Sequence, residues 1–323
     1  MDYILPMLLA LAAVAVGVIV LAYAADQFVV GAARLVRMMQ ISAIVVGVVI
    51  VGFGTSLPEA VVSGIAASRG EIAVAIGNVI GSNLANLTLL LGIAGLMAPL
   101  AVASTAVRRE YPLVLIATVA LAFVIQDGVS TLQGVALIVA MIVVLVVLLV
   151  SAMRSRGDDD PLAAEVDELM DTATEHRYPI EITRLLLGLG GTVLGSQLLL
   201  WGALRGADLL GLRAGFVGAT IVALGTSLPE LVTVTQSVRR NEPDLVVGNL
   251  LGSNLFNSLG VAGIIGIVSS APLVDRDLTI VAAVGMVTVT VIAGVMMRTG
   301  RTVTRLEGAA LLVLYGIALV TLF

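Results

Sequence analysis

The 323-residue sequence contains no cysteine and no lysine, and its one histidine is His176. Without thiols the chain forms neither disulfides nor thiolate metal sites. Because His176 lies in a hydrophilic stretch, the apolar segments also lack the Ser-His, Cys-His and Ser-Lys pairs that activate a nucleophile. These absences argue against an intramembrane enzyme, and we expect no enzymatic activity.

Charge is scarce as well: 12% of the residues are charged, whereas 59% are hydrophobic. Cutting the sequence at charged residues and at Pro/Gly breaks leaves about ten apolar segments of membrane-spanning length. We therefore predict an all-α polytopic membrane protein in a lipid bilayer, with no nucleic-acid partner. The predicted segments are 4–36, 41–67, 72–97, 109–126, 129–152, 181–209, 214–238, 244–269, 278–297 and 303–322.

The basic residues, all 17 of them arginines, fall into two groups between these segments. Four of them, Arg69, Arg205, Arg213 and Arg276, lie on one side of the predicted membrane, and the other arginines lie on the opposite side. Because positive residues accumulate on the cytoplasmic side, the larger group is expected in the cytoplasm. This predicts a multi-pass protein of the cell (plasma) membrane with both termini outside.

One hydrophilic stretch, 153–180, separates a first five-helix half, 1–152, from a second half, 181–323. It contains Asp158-Asp159-Asp160 and is predicted to be an acidic cytoplasmic linker with a short amphipathic helix. A regulatory Ca²⁺ site is the alternative, although the acids lack the D-x-D-x-D-G spacing of an EF-hand loop.

The hexapeptide Gly-Thr-Ser-Leu-Pro-Glu occurs twice, at 54–59 and at 225–230, in each case inside an apolar segment. Glu230 follows Glu59 by 171 residues, and at the same offset 77–78 matches 248–249 and 81–84 matches 252–255. Five segments separate the two copies, an odd number, so the copies cross the membrane in opposite senses. The chain is thus predicted to contain two inverted-topology repeats of five helices, the pattern of secondary transporters.

Each repeat carries a polar cluster on two successive helices, with a proline that breaks the first of them. If the repeats face each other, two carboxylates, hydroxyls and amide oxygens form a cage of oxygen ligands, which suits hard cations. One dehydrated Ca²⁺ balances two carboxylates, and several Na⁺ can replace it but cannot share the site with it. Simpler explanations remain: Gly77 and Gly81 suit helix packing, Pro58 an ordinary kink, and the serines back-bonding to carbonyls. The clusters are Thr55, Ser56 and Glu59 with Ser82, Asn83 and Asn86, and Thr226, Ser227 and Glu230 with Ser253, Asn254 and Asn257.

These two repeated motifs resemble the α-repeats of the Ca²⁺/cation antiporter superfamily, and within it the sodium/calcium exchangers of prokaryotic type. The resemblance covers essentially the whole chain and implies Ca²⁺ and Na⁺ as transported ions, with no cofactor. It implies Glu59 and Glu230 as the main Ca²⁺ ligands, helped by the backbone carbonyls of Thr55 and Thr226. For Na⁺ it implies the same carboxylates, four serines and two backbone oxygens, with two asparagines bordering the centre: Ser56, Ser227, Ser82 and Ser253, Gly52 and Ala223, and Asn86 and Asn257.

In one respect the sequence departs from some members of the superfamily, including potassium-dependent branches, which carry Asp at the position of Asn257. By resemblance, the less acidic cage favours a potassium-independent exchanger. We expect an electrogenic antiporter that works by alternating access and normally extrudes Ca²⁺. Exchange of H⁺ for Ca²⁺ is the alternative, and a cation channel, in which carboxylates line a pore, is the rival from another class.

Overall fold

The structure is a computed structural model that describes residues 4–38, 54–102, 106–154, 178–239, 241, 243–273 and 275–321. Within these ranges nearly every residue is helical. In the first half the helices are α1 (Ile4–Met38), α2 (Leu57–Ser68), α3 (Ile72–Met97), α4 (Tyr111–Val124) and α5 (Thr131–Arg154). In the second half they are α6 (Tyr178–Leu210), α7 (Ala214–Thr226), α8 (Leu228–Arg239), α9 (Pro243–Val268), α10 (Asp277–Arg298) and α11 (Arg305–Thr321).

Among the described helices, seven are long and apolar enough to cross a membrane, and the bent pair α7 and α8 together forms an eighth span. The predicted all-α membrane protein with two inverted repeats is confirmed. One small addition is a two-stranded antiparallel sheet in which β1 (Leu100–Ala101) pairs with β2 (Thr302–Val303). Part of the second predicted segment, 41–53, and most of the predicted linker, 155–177, lie outside the described residues.

The repeat is visible in the irregular turns of the helices as well as in their bounds. Helix α3 widens into a π-helical turn at Asn86–Leu90, and α9 does so at the corresponding residues, Asn257–Val261. Such turns are rare and occur often at functional sites. Both begin at an asparagine that the sequence places in the candidate site.

Helices α3 and α9 occupy the centre of the bundle, whereas α1, α4 and α5 lie at its periphery. In the apolar window of α3, 83% of the residues are buried, against 17% in that of α5. Large apolar side chains such as Phe123 and Leu132 are exposed on the peripheral helices, as lipid contact requires. The second polar cluster of each repeat, which includes Ser82 and Asn86 on α3 and Ser253 and Asn257 on α9, therefore lies on the helices with the most buried residues.

Glycines permit backbone contact where α3 crosses the first part of α7. A Cβ atom at Gly81 would collide with the backbone of Ala219, and one at Gly77 would collide with the backbone of Gly215. Small residues allow this close approach in membranes, where packing and not the hydrophobic effect holds helices together. The packing role predicted for Gly77 and Gly81 is confirmed.

The two long helices α1 and α6 pack antiparallel along their length, each through glycines of its own. Gly17 lies against the backbone of Leu199, and the corresponding Gly188 lies against that of Phe28. One end of the pair breaks this symmetry: Arg34 of α1 forms a buried ion pair with Glu181 of α6 at 3.2 Å. The position that corresponds to Glu181 is Ala10, so the opposite end lacks an equivalent pair.

Candidate cation site

The second hexapeptide lies where a membrane helix breaks, and the first lies at the start of helix α2. Helix α7 ends at Thr226, α8 begins at Leu228, and the two axes differ by 47°. Pro229 supplies no backbone donor to the carbonyl of Gly225, just as Pro58 supplies none to Gly54. The break therefore frees backbone carbonyls and places each glutamate in the first turn of a half-helix.

The serine of each hexapeptide binds the glutamate of the other. Ser227 Oγ donates to Glu59 Oε1 at 2.9 Å, and Ser56 Oγ donates to Glu230 Oε1 at 3.2 Å. All four side chains are buried, with both glutamates at 0% exposure. The two halves of the chain therefore build one site, with reciprocal bonds that follow the inverted repeat.

Helix α3 adds a second hydroxyl and an amide to this site. Ser82 Oγ lies 3.5 Å from Glu59 Oε1 and 3.3 Å from Ser227 Oγ. Asn86 Nδ2 donates to Asn254 Oδ1 of α9 at 2.9 Å, so its own carbonyl oxygen remains available. These contacts join the two central helices across the repeat boundary.

Several buried oxygen atoms of the predicted set have no hydrogen-bond partner among the described residues. They include one carboxylate oxygen of each glutamate, and buried polar atoms without partners are costly and uncommon in folded proteins. The atoms are Glu59 Oε2, Glu230 Oε2, Asn86 Oδ1, Asn257 Oδ1 and Ser253 Oγ. Carboxylate, amide and hydroxyl oxygens of this kind are what a hard cation such as Ca²⁺ or Na⁺ binds.

The predicted positions differ in how directly the structure links them. Hydrogen bonds connect Ser56, Ser82 and Ser227 to the glutamates. Ala223 is buried beneath Ser227, whose N–H donates to the Ala223 carbonyl at 3.0 Å. Ser253 and Asn257 are fully buried on α9, and the turn that begins at Asn257 packs against α2, the helix of Glu59. Gly52 lies outside the described residues.

Two asparagines, Asn78 and Asn249, contact threonines of the site. The sequence assigned no role to either of them, although the repeat contains both. Thr226 Oγ1 lies 3.2 Å from Asn78 Oδ1, and Thr55 Oγ1 lies 3.4 Å from Asn249 Oδ1. Asn78 and Asn249 occupy matching positions, and each contacts the threonine of the opposite repeat. The offset of 171 aligns them, but their cross-repeat contacts depend on how the helices pack.

Chemically, the arrangement provides two buried carboxylates bonded to hydroxyl groups, which leaves their negative charges to be balanced by cations. A carboxylate buried without a counter-charge costs several kcal/mol or more. A divalent cation or several monovalent cations would provide that balance. The carboxylates and hydroxyls come from both repeats, so the site depends on how the two repeats pack against each other.

Comparisons with known proteins agree with this architecture. A profile of the family described as "Sodium/calcium exchanger protein" matches residues 9–150 and 181–323. The inner membrane protein YrbG of Escherichia coli is 33% identical over 87% of this chain and 88% of its own length. The sodium/calcium exchanger MaX1 of Methanosarcina acetivorans is 27% identical, over 95% of this chain and 96% of its own.

Among solved structures, the sodium-calcium exchanger NCX_Mj, soaked with Na⁺ and Sr²⁺, superposes with a TM-score of 0.66 at 27% identity. The match covers 97% of this chain and 98% of NCX_Mj. Both halves of the family profile, separated by the hydrophilic stretch, fall on the two inverted repeats. The chain is therefore a multi-pass membrane protein that belongs to the sodium/calcium exchanger family.

Proposed function

We propose that this protein exchanges several Na⁺ for one Ca²⁺ across the plasma membrane by alternating access, and that Glu59 and Glu230 bind both ions. The observation that supports this most strongly is the reciprocal pairing of each buried glutamate with the serine of the other repeat. A site of this kind is complete only when both repeats contribute.

Antiport follows from competition for the same oxygens. One Ca²⁺ needs about six to eight oxygen ligands and neutralises both carboxylates, whereas Na⁺ ions bound to those carboxylates exclude it. An empty cage leaves two buried charges unbalanced, which disfavours movement of the unloaded protein. The carrier therefore crosses between its two orientations with one kind of cargo or the other.

Direction and charge movement follow from the number of ions. Inward movement of several Na⁺ supplies free energy for Ca²⁺ extrusion, and more than two Na⁺ per Ca²⁺ makes each cycle electrogenic. Potassium independence is proposed because position 257 is an asparagine, so the cage contains two carboxylates. Their two negative charges are balanced by one Ca²⁺ without K⁺.

The test uses vesicles that contain the purified protein, loaded with Na⁺ and diluted into Na⁺-free buffer with labelled Ca²⁺. We expect rapid Ca²⁺ uptake by the wild type and a loss of about 100-fold or more in Glu59→Gln or Glu230→Gln, since each removes one balancing charge. Asp208→Asn is the matched control, because it removes an acidic charge from an exposed position of α6.

Three results would contradict the proposal. Uptake by both glutamine variants at the wild-type rate would exclude the glutamates as ligands. Uptake driven by a pH gradient in the absence of Na⁺ would instead favour H⁺/Ca²⁺ exchange, and Ca²⁺ current without a counter-ion would favour a channel.

A further inference from the structure

The carbonyl oxygen of Ala223, which the proposed function assigns to Na⁺, has two hydrogen-bond donors within reach. The N–H of Ser227 donates to it at 3.0 Å, and the hydroxyl of Thr226 donates at 3.1 Å. A carbonyl oxygen has two lone pairs, so these donors occupy both. For a cation to bind this oxygen, one of the two protons must move to another acceptor.

The side chain of Asn78 provides that acceptor. Its Oδ1 atom lies 3.2 Å from Thr226 Oγ1, close to the distance between this hydroxyl and the Ala223 carbonyl. Thr226 has a single hydroxyl proton, which can therefore point to one acceptor or to the other. When it points to Asn78, one lone pair of Ala223 faces the site without a proton on it.

Three further contacts fix the orientation of the Asn78 amide. Its Nδ2 group donates to Ser63 Oγ at 2.9 Å and lies 3.5 Å from the backbone carbonyl of Glu59. Ser63 Oγ in turn lies 3.4 Å from the carbonyl of Ala75. Because backbone carbonyls only accept hydrogen bonds, the NH₂ group must face Glu59, and Oδ1 must face Thr226.

The corresponding contact in the other repeat is less constrained. Asn249 Oδ1 lies 3.4 Å from Thr55 Oγ1, but Asn249 Nδ2 has no hydrogen-bond partner among the described residues. The position that corresponds to Ser63 is Val234, a fully buried residue that offers no acceptor. Asn78 is therefore the better oriented of the two amides.

We propose that Asn78 is a positioning residue for the Na⁺ site: it accepts the hydroxyl proton of Thr226 and so frees the carbonyl of Ala223 for the cation. This inference rests on the proposed exchange of Na⁺ for Ca²⁺. It assigns Asn78 an effect on Na⁺ binding that exceeds its effect on Ca²⁺ binding, since the freed oxygen belongs to the Na⁺ ligands.

The experiment measures the Na⁺ and Ca²⁺ concentrations that give half-maximal exchange in Asn78→Leu, Thr226→Val and the double variant. In Asn78→Leu the Thr226 proton remains on Ala223, so we expect the half-saturating Na⁺ concentration to rise about tenfold, equivalent to ~1.4 kcal/mol. The Ca²⁺ value should change by about twofold or less, a split that general damage to the fold does not produce.

The double variant separates this role from a structural one. Without a hydroxyl at position 226 there is no proton to remove, so Asn78→Leu should have no further effect on Na⁺ in the Thr226→Val background. Replacing both partners of a buried hydrogen bond by apolar groups also limits the loss of stability. Additive effects of the two substitutions, or equal shifts for Na⁺ and Ca²⁺, would overturn the proposal.

A second pair of variants tests the orienting hydroxyl and leaves Asn78 itself intact. Ser63→Val makes the first repeat like the second, and we expect a rise of about threefold in half-saturating Na⁺, smaller than for Asn78→Leu because one hydrogen bond is lost. Val234→Ser, which offers Asn249 the missing acceptor, should leave that value unchanged or lower it. A rise with Val234→Ser, or no rise with Ser63→Val, would contradict the assigned orientation.

The same variants distinguish failure of this inference from failure of the proposed function. If wild-type vesicles exchange Na⁺ for Ca²⁺ and the substitutions are additive, the positioning role alone is wrong. If the wild type shows no exchange, the same single and double variants are compared by the increase in unfolding temperature that Na⁺ or Ca²⁺ produces in detergent. This measurement requires ion binding only. Loss of the Na⁺-induced increase in Asn78→Leu, with the Ca²⁺-induced increase retained, would still support the inference.

Discussion

Each of the two site glutamates uses one carboxylate oxygen for a hydroxyl proton from the opposite repeat. The second oxygen, Oε2, has no partner among the described residues in either glutamate. A hydroxyl donor stabilises a buried carboxylate but does not cancel its charge, which requires a cation. At the scale of single residues, each glutamate therefore keeps one carboxylate oxygen for a cation, as the proposed exchange requires.

In the proposed function Asn257 limits the cage to two carboxylates, and its replacement by Asp is a direct test. A third carboxylate would leave one negative charge when Ca²⁺ is bound, and a monovalent cation would then be attracted to the site. We expect Ca²⁺ uptake by Asn257→Asp to be stimulated by K⁺, whereas uptake by the wild type should not respond to K⁺. The measurement is Na⁺-dependent Ca²⁺ uptake with K⁺ or an impermeant organic cation outside.

Asn241→Asp is the control for this substitution, because it adds the same charge to an exposed turn between α8 and α9. Potassium stimulation in both variants would point to a surface effect. A K⁺-insensitive Asn257→Asp, or a K⁺-stimulated wild type, would show that the charge at this position does not determine potassium use.

Among single residues, the sequence indicates which groups are unusual but not which atoms they contact. Glu59 and Glu230 are evident because ionisable groups are rare inside apolar segments, and the repeat pairs them. The bonds Ser227 to Glu59 and Thr226 to Asn78 join residues far apart in the chain. They result from helix packing, which the linear pattern of a sequence does not contain. The repeat therefore aligns Asn78 with Asn249, but it does not reveal that Asn78 contacts Thr226.

At the scale of helices, the crossing of α3 and α7 determines how closely the two repeats approach each other. Gly81→Ala would place a methyl group against the backbone of Ala219, which cannot move without displacing α7. We expect a loss of about 1–3 kcal/mol in the free energy of unfolding, as is typical of overpacking. The thermal unfolding temperature in detergent should fall accordingly.

Gly190→Ala on α6 is the matched control, since no heavy atom lies within 4 Å of a Cβ at that position. Alanine is the better helix former by up to about 1 kcal/mol, so this variant should be as stable as the wild type or more stable. Equal destabilisation of both variants would mean that the close crossing does not explain the glycine at position 81.

The ion pair between Arg34 of α1 and Glu181 of α6 provides a second test of stability at the scale of helices, because the other end of this helix pair has no equivalent. Glu181→Gln removes the carboxylate from the buried guanidinium of Arg34, and loss of one partner from a buried pair costs about 3–5 kcal/mol. We therefore expect a large decrease in unfolding temperature for Glu181→Gln.

The control for this pair is Arg205→Gln, because Arg205 corresponds to Arg34 in the repeat but is exposed. Surface substitutions of this kind usually change stability by about 0.5 kcal/mol or less. If Arg205→Gln were as harmful as Glu181→Gln, the asymmetry between the two ends would have no energetic meaning.

For the molecule as a whole, the sequence predicts the inverted repeat well, because one offset of 171 aligns helices, prolines and polar clusters without a gap. Helix α3 and helix α9, Ile72–Met97 and Pro243–Val268, end at corresponding residues, 97 and 268. The differences between the two repeats are harder to interpret from the sequence. In the alignment of the repeats, Glu181 matches Ala10 and Ser63 matches Val234. The consequences of these two mismatches can be inferred only when the residues that surround them in the structure are known.

The orientation of the whole molecule in the membrane is the last prediction, and the absence of cysteine makes it simple to test. The distribution of arginines places the turn after α2 outside and the turn after α10 in the cytoplasm. Ser68 and Thr299 are exposed residues in these two turns, and the side chain of each bonds only to a nearby backbone carbonyl. In intact cells, a membrane-impermeant maleimide should label Ser68→Cys and spare Thr299→Cys, whereas permeabilised cells should show both labelled. The wild-type chain, which has no thiol, is the background control, and labelling of Thr299→Cys alone in intact cells would reverse the predicted orientation.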